Sequence, residues 1–295
     1  MRNLNVGDKV GIISTARKIS FNELNLPIEI IKGWGLQVVL SNNLFCEENQ
    51  FSGTIKQRSD DLQQMIDDNS IKAIFCARGG YGTVQIVDNI DFTSLRINPK
   101  WIVGFSDITV LHSHLNMLGF ASIHATMPIN FKNNTSKSLD SLMNSLFGIK
   151  NQIECLAHPF NQSGRIDAEI VGGNLSVLYS LIGSPSDLNT DGKILLIEDI
   201  DEYFYHLDRM MINLKRNGKF SKISGLIVGG MSNMNDNIIK FGKTANEIIL
   251  EYTKEYNIPT CFSFPAGHID DNRSIKFGVI STLEISHKGV RLSQS

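Results

Sequence analysis

The 295 residues exceed the roughly 100–200 typical of one domain, so the chain has the length of two. Hydrophobic residues make up 42% and charged residues 20%, a balance that can bury a sizeable core and excludes a disordered or fibrous chain. A formal net charge of −2 gives no electrostatic footing for DNA, RNA or an anionic membrane surface as a partner.

The opening segment, MRNLNVGDKVGIIS, has a short apolar run followed by polar residues, unlike a signal peptide. No stretch approaches the roughly 18 apolar residues of a membrane span. KVGIIST (9–15), LQVVLS (36–41), IKAIFCA (71–77) and WIVGF (101–105) read as strands. Helical patterns fall between and after them, at 25–35, 55–68 and 107–119. Strands that are continuous apolar runs alternating with helices predict an α/β fold with a parallel sheet buried on both faces.

Around 148–168 the character changes to proline, glycine and polar residues, which suits a boundary. Beyond it come GGNLSVLYSLIGS (172–184), KILLIED (193–199), a helix at 204–218, ISGLIVGG (223–230) and a tail of short strands and turns. The expected division is an α/β domain over 1–150, a boundary at 151–164 and a mixed β/α domain over 165–295. The four cysteines, Cys46, Cys76, Cys155 and Cys261, are scattered singly, which predicts reduced, mostly buried thiols of a cytoplasmic protein.

Ligands of open α/β sheets lie beyond the carboxyl ends of the strands, and two loops there stand out. In GFSD (104–107), Ser106 occupies a strand-to-helix corner with the first N–H groups of the helix beside it. The G-x-S-x-G pattern is absent, with Ile108 in place of the second glycine, and on this stretch alone a helix cap is the commoner explanation. ARGGYGT (77–83) allows close backbone approach, but it is not G-x-G-x-x-G, and in isolation a tight turn explains it.

A serine nucleophile needs a base, and the base needs an acid that orients it. His268, in the loop FPAGHIDDN, is the best-placed histidine; His124 ends an apolar stretch and is either near a site or packed. His112 and His114 face different ways on one helix. KILLIEDID offers Glu198 and Asp199 at a strand end, where neighbours point to opposite faces, so at most one faces a site.

The ordered set ARGGYG, GFSDIT, GGNLS, LLIEDIDE followed by YHLDRM, and PAGH resembles the LD-carboxypeptidase family of serine peptidases across most of the chain. The resemblance implies Ser106 as nucleophile, His268 as general base and Glu198 as the residue orienting it. It implies an oxyanion hole of the Asp107 and Gly80 N–H groups, and Arg78, Gly79, Tyr81 and His124 as substrate-binding candidates. It places the serine in a flavodoxin- or Rossmann-like domain and the other two in a C-terminal swivelling-type β/α domain. The implied substrate is a muropeptide tetrapeptide losing its terminal D-alanine in the cytoplasm, with no metal or organic cofactor and a homodimeric enzyme. Relatives often carry His-Gly where this chain has His124-Ala125, and a more basic residue at His206.

Three other readings compete. One is the related branch that cleaves acyl-sulfamoyl-adenylate amides of microcin type, which would need an aromatic platform that neither Trp34 nor Trp101 looks placed to form. Another is a non-catalytic two-domain binding protein. The third, a nucleotide-dependent oxidoreductase, lacks the glycine fingerprint.

Overall fold

A computed structural model describes residues 3–294. The first half contributes five strands, β1 (Lys9–Ile13), β2 (Gln37–Leu40), β3 (Ile71–Cys76), β4 (Trp101–Gly104) and β5 (Ser122–His124). All neighbours among them pair in parallel, in the spatial order β2–β1–β3–β4–β5. That is the flavodoxin-like doubly wound order, whose topological switch point lies between β1 and β3.

Alternate residues of the strands serve two cores. Val10, Ile12, Phe75 and Val103 meet α1 (Phe21–Gly33) and α5 (Ser136–Phe147) on one face. Ile13, Ile74 and Ile102 meet α2 (Ile55–Asp67), the short α3 (Ser94–Ile97) and α4 (Thr109–Met117) on the other. Fully burying each such side chain contributes about 1.5–3 kcal/mol, so both faces of the sheet must be covered. The strands expected in this half are present. β5 comes in addition, since three residues are too few for its periodicity to show. Helix α1 begins at Phe21, ahead of the expected start at 25, because Ser20 and Glu23 close a capping box in front of it.

The second half forms a seven-stranded sheet from β6 (Asn151–Cys155), β7 (Gly164–Asn174), β8 (Ile194–Ile200), β9 (Gly225–Ser232), β10 (Thr260–Cys261), β12 (Ile280–Ser286) and β13 (Gly289–Gln294). Its order is β10–β9–β8–β7–β12–β13–β6. β7 to β10 are parallel, whereas β12, β13 and β6 are antiparallel. One face carries α6 (Leu175–Leu181), α7 (Phe204–Arg216) and α8 (Ala245–Thr253). β6 occupies part of the segment read as a boundary.

The remaining strand, β11 (Ile275–Phe277), leaves the second sheet and pairs antiparallel with β5, Ile275 opposite His124. Further ties hold the halves together: the Thr135 N–H and the Ser138 hydroxyl donate to the Asp270 carbonyl, and the Ser274 N–H donates to Ser141 Oγ. These bonds fix the loop between β10 and β11, which carries His268, against the amino-terminal half.

Candidate active site

Beyond Gly104 the chain turns sharply through Phe105, passes through a 3₁₀ turn at Ser106–Ile108 and enters α4. Ser106 has φ +63°, a conformation uncommon for a residue with a side chain. Such strain costs on the order of 1–3 kcal/mol and persists where the surroundings over-determine it. Here the corner is braced from beneath by His112, whose Nε2–H donates to the Gly104 carbonyl while Ser122 Oγ donates to its Nδ1. Burial pushes the His112 pKa down to about 3, so this ring is neutral.

His268 Nε2 stands 3.0 Å from Ser106 Oγ and its Nδ1 2.7 Å from Glu198 Oε2. The His268 backbone N–H donates to the same carboxylate oxygen at 3.1 Å. Since a carboxylate only accepts, Nδ1 carries the proton and Nε2 is free to accept from the serine hydroxyl. Glu198 is fully buried and the His268 side chain is 16% exposed. Burial alone would raise the Glu198 pKa, but the adjacent imidazole outweighs it and holds the carboxyl below its ordinary value. For His268 burial works against the charged ring, and the Glu198 charge and hydrogen bond outweigh it, leaving the pKa above its ordinary value.

Local backbone features build this arrangement. The β8–β9 register shifts between Ile197 and Asp199, so Gly229 and Gly230 stand opposite Glu198 in a bulge. A side chain on Gly229 would strike the Ala266 carbonyl at 2.5 Å, so the bulge lets the PAGH loop lie close over the strand. Gly267 has φ +97°, and a Cβ there would sit 2.4 Å from Glu198 Oε2. Ser232 Oγ donates to the His268 carbonyl, and the Gly267 N–H donates to Asn272 Oδ1. Glu198 and Asp199 point opposite ways, as strand neighbours do. Asp199 accepts from Asn174 Nδ2 and the Ser176 N–H, and burial raises its pKa to about 7.

The ARGGYGT loop packs against the serine. A Cβ on Gly79 would meet Ser106 Cβ at 3.2 Å, Oγ at 3.3 Å and the Asp107 nitrogen at 3.4 Å. The Gly80 peptide therefore adjoins the serine corner, and the Asp107 N–H belongs to the first turn, where helical N–H groups lack an intrahelical acceptor. The Asp107 carboxylate is buried, its pKa is raised by desolvation, and it accepts from the Thr83 N–H at 2.9 Å. Buried Arg58 holds the same loop by donating to the Thr15 and Gly82 carbonyls.

The residues considered for substrate contact divide. Tyr81 is exposed, with its ring 6.2 Å from that of Phe51. Arg78 is engaged structurally: it donates to the Lys18 carbonyl at 3.0 Å and lies 3.9 Å from Glu23. His124 is fully buried on β5, so it does not reach a ligand surface, and its role as a substrate contact is corrected accordingly. Besides Arg58, a second arginine beside this loop escaped the sequence reading. Arg17 follows β1 at the switch point and is exposed, and its stem runs beside Gly80, whose added Cβ would meet Arg17 Cδ at 2.5 Å. Among the described residues no carboxylate pairs with it. Its place after the first strand was the available signal.

The profile of the LD-carboxypeptidase N-terminal domain matches residues 10–125, and that of the LD-carboxypeptidase C-terminal domain matches residues 167–283. The chain is 29% identical to the probable murein peptide carboxypeptidase of Bacillus subtilis, over 97% of this chain and 91% of that protein. It is 22% identical to the microcin C7 self-immunity protein MccF of Escherichia coli, over 99% of this chain and 94% of the relative. In fold it superposes on the muramoyltetrapeptide carboxypeptidase of Oxalobacter formigenes with a TM-score of 0.89 at 23% identity, covering 97% and 98% of the two chains. With one domain profile over the sheet that bears Ser106 and the other over the strand that bears Glu198, the chain belongs to the LD-carboxypeptidase family.

Proposed function

We propose that this protein is a serine L,D-carboxypeptidase that removes the terminal D-alanine from a peptidoglycan-derived tetrapeptide. The observation that carries the reading is the hydrogen-bonded series Ser106–His268–Glu198, at 3.0 and 2.7 Å, at the carboxyl edge of the first sheet. His268 Nε2 takes the Ser106 proton as Oγ attacks the scissile carbonyl, and Glu198 stabilises the imidazolium that forms. The Asp107 and Gly80 N–H groups receive the developing oxyanion. Collapse of the tetrahedral intermediate breaks the C–N bond, D-alanine leaves with the proton from His268, and water hydrolyses the Ser106 ester by the same steps.

A carboxypeptidase also needs a cation for the substrate's terminal carboxylate, and Arg17 serves here in preference to the engaged Arg78. Tyr81 and the Gly79 peptide line the same approach. The chain divides into a nucleophile-bearing domain over 1–150 and a domain over 165–295 that supplies Glu198 and His268, with 151–164 between; the two profile matches fall on either side of that boundary. A homodimer working in the cytoplasm on recovered wall peptides follows from the same family resemblance. Among the described residues no helix is long and apolar enough to cross a membrane.

The microcin relative supports a second reading, cleavage of an acyl-sulfamoyl-adenylate amide. Three compounds separate the readings: the tetrapeptide ending in D-alanine, its L-alanine diastereomer and aspartyl sulfamoyl adenosine. Release of alanine from the first alone supports the L,D-carboxypeptidase. Turnover of the nucleotide with an intact tetrapeptide transfers the assignment to the other branch.

A further inference from the structure

Glu198 has two carboxylate oxygens, and the contacts above use only Oε2. Oε1 is buried and has no hydrogen-bond partner among the described residues. Nearly all buried polar atoms in folded proteins have a partner, so an orphaned carboxylate oxygen at the heart of a site calls for one. His124 presents the complementary deficit. It is fully buried on β5, and neither Nδ1 nor Nε2 has a partner.

The two lie in one region. The Phe105 ring packs against both histidines, 6.0 Å from the His124 ring and 4.8 Å from the His268 ring. Phe277 from β11 closes the other side at 5.4 Å. The charges of Glu198 and His268 both act on the His124 ring, and burial brings its pKa down to about 4. His124 is therefore neutral at working pH, with one N–H donor and one nitrogen acceptor. The strand pairing places it beside Gly104, just ahead of the serine corner.

We propose that His124 is a positioning residue which, through one internal water, holds Glu198 Oε1 and so fixes the carboxylate plane that orients His268. The water donates one O–H to Glu198 Oε1 and uses its other O–H or a lone pair on the His124 ring. A polar site with at least two such partners is where internal water is retained. This inference deepens the triad reading and rests on it; its first readout needs no substrate.

The test begins with the wild-type protein: a crystal structure at a resolution that shows ordered water. Density within hydrogen-bond distance of both Glu198 Oε1 and a His124 nitrogen supports the proposal, and a dry contact there overturns it. The second arm uses His124→Phe, which keeps a ring without polar atoms, and His124→Gln, which keeps a donor and an acceptor. NMR then follows the downfield proton of the Glu198–His268 bond. The expected result is a shifted or lost resonance and a kcat lowered about 10-fold or more in His124→Phe, with KM unchanged and substantial recovery in His124→Gln. Equal losses in the two variants that track melting temperature, or an unaltered resonance in His124→Phe, would make His124 a packing residue. Should His124→Phe fail to fold, the wild-type density and the His124→Gln resonance decide. Failure of the carboxypeptidase reading would instead appear as an inactive wild type that still shows the water and the downfield proton.

Discussion

Replacing Gly267 by alanine concentrates the structural argument in one methyl group. The residue has φ +97°, where a Cβ introduces strain of about 1–2 kcal/mol. The added carbon would lie 2.4 Å from Glu198 Oε2, 2.5 Å from its Cγ and 2.6 Å from its Cβ, about 1 Å inside ordinary contact. Relieving that overlap must push Glu198 away from His268 or lift the PAGH loop, and overpacking of this kind costs a further ~1–3 kcal/mol. The expected loss of stability is therefore about 2–5 kcal/mol. A displacement near 1 Å in a catalytic array lowers turnover by about 100-fold, so kcat should fall at least that far with KM little changed. Gly242 supplies the control: it has φ +85° and nothing within 4 Å of an added Cβ, so Gly242→Ala carries the backbone strain alone. Thermal melts and alanine-release kinetics on both variants read the difference. If Gly267→Ala retains turnover within about threefold of Gly242→Ala, the close fit of the PAGH loop over Glu198 has no bearing on catalysis and the reasoning fails.

Further outcomes follow from the same geometry. His268 must be neutral to accept the serine proton, and the Glu198 charge raises its pKa above the ordinary histidine value, so kcat/KM should fall on the acid side, with a midpoint higher than that of a free imidazole. Glu198→Gln removes the charge that raises the pKa and leaves the burial that lowers it, so the midpoint of residual activity should move to lower pH; a midpoint that does not move would separate Glu198 from the imidazole. Arg17→Ala should raise KM by roughly 10- to 100-fold, the range of a lost charge-assisted hydrogen bond, while Arg78→Ala should lower melting temperature with little change in KM. The reverse pattern would return carboxylate recognition to Arg78. Asp107→Ala leaves the buried Thr83 N–H without its acceptor, at a cost of about 1–3 kcal/mol, and frees the glycine-rich loop. Lower stability and lower kcat together are expected, with Asp107→Asn recovering part of both, and full activity in the alanine variant would contradict a role for that anchor.

The parallel strands of the first half were legible because each is a continuous apolar run bounded by turn residues, as in IKAIFCA and WIVGF. β11 was not, because its partner β5 lies about 150 residues away in the chain and neither three-residue strand has a measurable period. The strand register decided what periodicity left open at KILLIEDID: a bulge turns Glu198 toward His268 and leaves Asp199 to cap α6 with Asn174. Arg58 and Arg17 were invisible for different reasons. Arg58 sits on an amphipathic helix, where a basic residue reads as solvated surface, yet it is 1% exposed and bonds two loop carbonyls. Arg17 follows an unremarkable polar turn, and only the packing of its stem against Gly80 brings it beside the glycine-rich loop. For His124 the sequence left open whether it lies near a site or simply packs, because its burial and its orphaned nitrogens are tertiary facts.

The central claim, that Ser106 is the nucleophile of an L,D-carboxypeptidase, is tested most directly by mass spectrometry of the tetrapeptide after incubation with wild type and with Ser106→Ala. Loss of one alanine with wild type and an intact tetrapeptide with the variant is the predicted result. Cleavage by both proteins would reduce Ser106 to a helix-start residue, and an intact tetrapeptide with both would contradict the substrate.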